Sequence, residues 1–178
     1  FVRNFTDLVG FLRDEKVNIL LFEDGEWMWE SMDGSSPEEE MVNQMARDGV
    51  TIVGGAGNMS GGNMVIIDQL KTGKSVTYTA SCSGKPDEDV AKNDGVFFSF
   101  LWKDAASNVK FELETPDGKS TGELSEGSGI LKTGQYKIFY SREVSPKGTV
   151  MMKFGASTQD SDIVRGKFKI KVTSDKDQ

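Results

Sequence analysis

The 178-residue chain contains no histidine, and that absence excludes more than any other count. Without an imidazole the chain cannot by itself build a Ser-His-Asp or Cys-His arrangement, a His-x-x-x-His zinc helix or a His-Cys zinc finger. A complete His-dependent hydrolase is therefore excluded. The single cysteine, Cys82, cannot form an internal disulfide and does not identify a redox compartment. Long apolar runs are missing as well. Stretches such as Val-Asn-Ile-Leu-Leu-Phe at 17–22 fall far short of the ~18 residues that a membrane-spanning helix needs, so no membrane insertion is expected. Positive charge is in deficit: Lys+Arg 21 against Asp+Glu 28 leaves a net charge of −7. Nucleic acid and anionic membranes attract clustered Lys and Arg, and neither partner is expected here. The chain also has no initiator Met and no signal-peptide pattern. It opens at Phe1 inside a helix-like pattern and reads as a piece of something longer.

The length permits one domain or two small ones, and 37% hydrophobic residues can fill a core. Charge divides the chain. Residues 1–63 carry four basic residues (Arg3, Arg13, Lys16, Arg47) and twelve acidic ones, a net of −8, whereas 64–178 carry seventeen and sixteen, a net of +1. The two regimes meet near 59–66, at the end of the glycine-rich stretch Gly54 to Asn63.

The first regime alternates helix and strand. Thr6 is placed to cap a helix running to about Asp14, with Phe5, Leu8, Val9 and Leu12 at helical spacing. Val17 to Phe22 is the short continuous apolar run of a strand buried on both faces. Ser35 or Ser36, then Pro37 and Glu38-Glu39-Glu40, combine a hydroxyl cap, proline in the first turn and carboxylates at the positive end of the helix dipole. That helix turns Met41, Val42 and Met45 inward and ends near Asp48-Gly49. Val50 to Val53 is the next strand, and the order strand, helix, strand implies a crossover with parallel strands.

The second regime predicts strands at about 64–70, 74–82, 96–102, 108–114, 134–141, 148–155 and 166–173. Val109 to Thr115 and Lys167 to Thr173 alternate with period two, so each should bury one face and expose the other. Pro116-Asp117-Gly118-Lys119 is a turn. The expected fold class is thus α/β followed by all-β: a partial parallel unit of helix, strand, helix and strand over 1–66, an antiparallel β-sandwich or jelly roll over 67–174, and a frayed tail at 175–178.

In an open parallel sheet, ligands sit outside the carboxyl ends of the strands. Two loops leave from that edge, Glu23 to Ser35 and Gly54 to Asn63. The glycine-rich loop lacks the Gly-Lys-Ser/Thr ending of a P-loop, and Gly55-x-Gly57-x-x-Ser60 has Ser where a dinucleotide fingerprint has Gly or Ala. It can be a plain connector between domains. It can also be a site, because small residues let a ligand backbone approach closely and the Asn58 amide is a donor able to meet a developing oxyanion.

Taken whole, Asp48-Gly49-Val50-Thr51-Ile52-Val53-Gly54-Gly55-Ala56-Gly57-Asn58 resembles the segment of subtilisin-like serine peptidases that ends in the oxyanion-hole asparagine. Val17 to Gly25, Asp33 to Pro37 and the helix at 37–48 resemble the preceding run of that family in the same order, so the likeness covers about the first 65 residues. It implies Asn58 as the oxyanion donor, with Glu23, Asp24, Gly25, Gly55, Ala56 and Gly57 lining the substrate-binding side. The family commonly has Ser-Phe-Gly or Ser-Leu-Gly where this chain has Glu23-Asp24-Gly25. Its catalytic Asp and His would lie before Phe1 and its Gly-Thr-Ser nucleophile motif after Gln178. The β-rich stretch then resembles a jelly-roll domain inserted between the oxyanion asparagine and the nucleophile. The resemblance further implies a peptide or protein substrate for the whole protein and an extracellular or cell-surface location. No cofactor is assigned, calcium staying open.

Other groups have two readings each. Glu23, Asp24, Glu26, Glu30 and Asp33 either select a basic substrate residue or form a solvated acidic loop. Trp27 and Trp29 either pack under their loop or stack on a ligand. Asp87, Asp89, Asn93 and Asp94 are oxygen-rich enough for Ca²⁺ but fit no EF-hand spacing, and no metal site is assigned. Cys82 reads as a small core residue. A different class of function also stands open, with the β-rich part as a non-catalytic module binding protein, carbohydrate or calcium.

Overall fold

The structure, a computed structural model, describes residues 2–22, 30–55, 65–82, 95–158 and 164–178. It divides into two compact units, Phe1–Ile67 with Ser145–Lys147, and Asp68–Val144 with Gly148–Gln178.

In the first unit, helix α1 spans Val2–Asp14. It begins before the expected cap, so Thr6 lies inside the helix and its hydroxyl approaches Met41 Sδ at 3.9 Å. Strand β1 (Ile19–Phe22) and strand β2 (Thr51–Gly54) pair in parallel, Ile19 opposite Thr51 and Phe22 opposite Gly54. Helix α2 (Pro37–Arg47) lies between them in sequence. Its start is a complete capping box: Ser36 Oγ accepts from Glu39 N–H at 3.2 Å, and Glu39 Oε2 accepts from Ser36 N–H at 3.1 Å. Two otherwise orphaned backbone donors are thereby satisfied. At the other end Gly49 turns left-handed, with φ 94°, and donates to Ala46 O, a conformation that favours glycine. Val9 and Met45 form the buried centre of this unit, with Leu12, Leu20, Phe22, Met41, Val42, Val50 and Ile52 packed around them.

The second unit is a sandwich of two antiparallel four-stranded sheets. One has the order β3 (Ser75–Cys82), β10 (Gly166–Ser174), β5 (Val109–Glu114), β6 (Ser120–Leu124); the other has β4 (Gly95–Trp102), β9 (Val150–Thr158), β8 (Tyr136–Val144), β7 (Ser128–Thr133). First pairs with last and second with second-last, as in a jelly roll. The inner strands depart from that plan: β5 pairs with β6 as a hairpin and β7, β8 and β9 form a meander. Aromatic rings bridge the two sheets, Phe100 to Phe111 at 5.0 Å and Tyr136 to Phe168 at 5.4 Å between centroids. Phe111, Leu113, Ile138, Met152, Phe154, Phe168 and Ile170 are the buried centre.

The expected alternation holds in β5 and β10. Their inward residues are Val109, Phe111, Leu113, Phe168, Ile170 and Val172, and their outward charges meet across the sheet, Lys169 with Glu114 at 2.7 Å and Lys110 with Glu123 at 2.7 Å. Three expectations fail. Residues 65–70 form no strand. Strands β6 and β7 escaped prediction because Gly122 and Gly129 interrupt short, mostly polar segments, and β5–β6 carries a register shift. The C-terminal residues are not frayed: Leu70 and Gln178 exchange both backbone hydrogen bonds at 3.0 and 2.8 Å.

Candidate functional site

The carboxyl ends of β1 and β2 lie side by side. Beyond the last pair, Phe22 with Gly54, the ladder gains one more bond, from Gly55 N–H to Phe22 O at 3.2 Å. The two loops that sequence selects as site-forming therefore leave the sheet from one edge, one strand spacing apart. A parallel ladder produces this arrangement because consecutive parallel strands must both run toward the same edge.

Of the residues assigned to the site, Gly55 is the one that the structure describes. Asn58, Ala56 and Gly57 lie outside the described residues, as do Glu23, Asp24, Gly25, Glu26, Trp27 and Trp29. Asp87, Asp89, Asn93 and Asp94, weighed for calcium, lie outside them too. Among the described residues no group of three or more His, Cys, Asp or Glu side chains could hold a metal ion, and no described helix is long and apolar enough to cross a membrane.

The far end of the first loop has a defined anchor that sequence reasoning passed over. Asp33 accepts from Ser35 Oγ at 2.5 Å through one carboxylate oxygen and from Ser145 Oγ at 2.5 Å through the other. Lys147 Nζ donates to the backbone carbonyls of Asp33 and Gly34, each at 2.9 Å. Both carboxylate oxygens are thus used structurally, which sets Asp33 apart from a freely solvated acidic side chain. The local signal was Asp33-x-Ser35, a spacing short enough for the carboxylate to accept from the hydroxyl two residues on. The contribution of 145–147 has no local signal at all.

Cys82 ends β3 opposite Gly166. Burial raises its thiol pKa above the ordinary value, which keeps it protonated and a poor nucleophile at neutral pH.

No protein-family model matches the sequence, and no curated protein does. Among solved structures the chain is similar to the Clostridium perfringens CspB protease, with a TM-score of 0.75 over 97% of this chain at 20% sequence identity. The chain spans 35% of that protein's length. The likeness shows a shared fold, in a part of a longer protease chain.

Proposed function

We propose that these 178 residues are an internal portion of a subtilisin-like serine endopeptidase, contributing substrate-binding loops, an oxyanion-hole asparagine and an inserted β domain. The observation that carries this reading is the pairing of Phe22 with Gly54 and Gly55. It puts Gly54 and Gly55, the first residues of the glycine-rich run, at the carboxyl edge of a parallel sheet, where such sheets hold ligands, and this supports a site built on the run that follows. The resemblance of residues 48–58 to the peptidase segment and the structural likeness to a protease support it independently.

In the whole enzyme, a serine outside this chain would attack the peptide carbonyl and a histidine, which this chain lacks, would take its proton. The Asn58 side-chain amide would donate to the oxyanion as the carbonyl becomes tetrahedral, because the donor is worth most where negative charge develops. Glu23, Asp24, Gly25, Gly55, Ala56 and Gly57 would line the substrate side, the glycines giving the peptide backbone room to approach. The isolated chain would be inert. The parent protein would act on peptides or proteins, outside the cell or at its surface.

Asn58→Ala in the protein extended at both ends tests the role. Loss of one oxyanion donor lowers kcat by about 10²–10³-fold. An active extended protein that is indifferent to the substitution would overturn the assignment.

A second reading concerns the β unit alone: a binding or stabilising module of non-catalytic function. The reciprocal bonds of Leu70 and Gln178 favour it, since a unit that closes its own ends suits insertion into a host chain. Calorimetry with Ca²⁺ and a glycan panel tests this reading, and silence in both would leave a purely structural insert.

A further inference from the structure

Two residues of left-handed backbone flank Asp33: Met32, with φ 48°, and Gly34, with φ 76°. Glycine adopts this conformation freely, whereas methionine is strained in it. Met32 is 53% exposed, so packing of its own side chain does not hold it there. The hydrogen bonds on the next two residues do. Asp33 accepts from the Ser35 and Ser145 hydroxyls, and Lys147 Nζ is shared between the carbonyls of Asp33 and Gly34. Ser145 Oγ also accepts from the Lys147 N–H at 3.2 Å, which leaves its single proton for Asp33. A Cβ on Gly34 would lie 2.9 Å from Lys147 Nζ, so a side chain there would have to displace the ammonium. Ser145, Pro146 and Lys147 connect β8 to β9, yet they group with the first unit rather than with the strands that carry them.

We propose that Ser145 and Lys147 are positioning residues for substrate binding, fixing through Asp33 and Gly34 the point at which the loop from Glu23 returns to helix α2. The proposal rests on the reading of that loop as substrate-binding and adds the residues that hold its end, Ser145 lying 112 positions beyond Asp33. Three observations select this role. Both Asp33 carboxylate oxygens are engaged within the chain, so Asp33 is not available as a free charge to select a basic substrate residue. The capping box of Ser36 and Glu39 is complete without 145–147, so the long-range bonds act on what precedes the helix rather than on its start. Strain such as that at Met32 persists where the surroundings over-determine it, and it clusters at functional sites. A loop fixed at both ends has less freedom to lose when a peptide binds, which strengthens binding without touching the bond being cleaved.

Steady-state peptide hydrolysis by the protein extended at both ends tests the role. Ser145→Ala and Lys147→Met make the cuts, and Ser145→Thr, which keeps the hydroxyl, is the conservative variant. Each cut should raise KM by about five- to tenfold with kcat within about twofold, the mark of lost uniform binding, and Ser145→Thr should restore KM. Hydrogen exchange over 30–36, read on the same variants, should speed up by at least about tenfold while 166–174 is unchanged. Unchanged exchange would overturn the proposal. Faster exchange with an unchanged KM would do the same, because the contacts would then be structural only. An extended protein that hydrolyses no peptide sinks the enzyme reading and this role with it, whereas an active one whose KM ignores both cuts sinks the positioning role alone.

Discussion

Leu70 and Gln178, at opposite ends of the β unit, hold each other by two backbone hydrogen bonds of 3.0 and 2.8 Å. Around this pair Asp177 accepts from the Thr72 N–H and hydroxyl, each at 2.8 Å, and meets Lys71 Nζ at 3.1 Å. Gln178 Nε2 reaches Ser107 Oγ. The two ends of the sandwich unit are therefore held together at one place. Residues 68–178 expressed alone should fold cooperatively, with near-UV circular dichroism and a single denaturant transition as the readout. Deleting 175–178 should lower stability by at least the two Gln178 backbone bonds, about 1 kcal/mol each. A deletion with no effect on the midpoint would show that the clasp is incidental.

Acid should loosen the same clasp. The Thr72 backbone bond, the Thr72 hydroxyl and Lys71 hold the Asp177 carboxyl down at about 2. Its contribution is present above the free-carboxylate pKa of about 3.9 and is lost as pH falls from there toward 2. Asp117, held low chiefly by the Thr115 hydroxyl, and Asp104, held low chiefly by Ser107, act with the same sign. Thermal midpoints of 68–178 should be flat between about pH 5 and 7 and drop between about pH 4 and 2. Asp177→Asn should flatten part of that drop, and an unchanged acid limb would refute its role.

The bridge between the sheets should be the costliest place to cut. Phe111 is 1% exposed and its ring meets those of Phe100, Trp102 and Phe154 at 5.0, 5.8 and 5.7 Å. Phe111→Ala should destabilise the β unit by about 3–5 kcal/mol through lost burial and a residual cavity. Urea denaturation measures it, and a loss below about 1 kcal/mol would mean that the core collapses around the site.

Gly118 closes the β5–β6 turn with φ 74° and donates to Thr115 O at 2.9 Å. A Cβ there meets nothing within 4 Å, so only backbone strain opposes a side chain. Gly118→Ala should cost about 1–2 kcal/mol, and Gly118→Asn less, because asparagine tolerates this conformation better. Equal midpoints for both variants and the parent chain would contradict the turn geometry.

The capping box of α2 is local and should respond locally. Ser36→Ala leaves the Glu39 N–H without its side-chain acceptor and should cost about 0.5–2 kcal/mol. Peptide-level hydrogen exchange over 37–47 should speed up while strand β10 is unaffected. Unchanged exchange would assign the start of the helix to Pro37 and its neighbouring carboxylates alone.

What could be read from the chain follows interaction range. The Ser36–Glu39 box, the turn at 116–119 and the alternation of Lys110, Glu112 and Glu114 against Phe111 and Leu113 are set by residues two to four apart, so they show in sequence. The parallel strands at 19–22 and 51–54 show because Ile19 to Phe22 and Val50 to Val53 are short, mainly apolar stretches bounded by polar or glycine residues. Strands β6 and β7 did not show, because Ser120–Leu124 and Ser128–Thr133 gain their conformation from partners in β5 and β8 rather than from their own composition. The glycine-rich run to Asn58 was legible as a candidate site from its residue types. The setting of its first two residues, Gly54 and Gly55, at the carboxyl edge rests on pairing with Phe22, a long-range contact.

The sequence by itself determined that this chain has no general base of the imidazole kind, that an acidic α/β segment precedes a β-rich one, and where the capped helix and the turn at 116–119 begin. These follow from composition and from short-range hydrogen bonding. Only the tertiary structure decided that Gln178 returns to Leu70 and that Asp33 is tied to Ser145. Each depends on which distant groups meet, and a backbone amide or a serine hydroxyl carries no local mark of the partner that its own chain will bring to it.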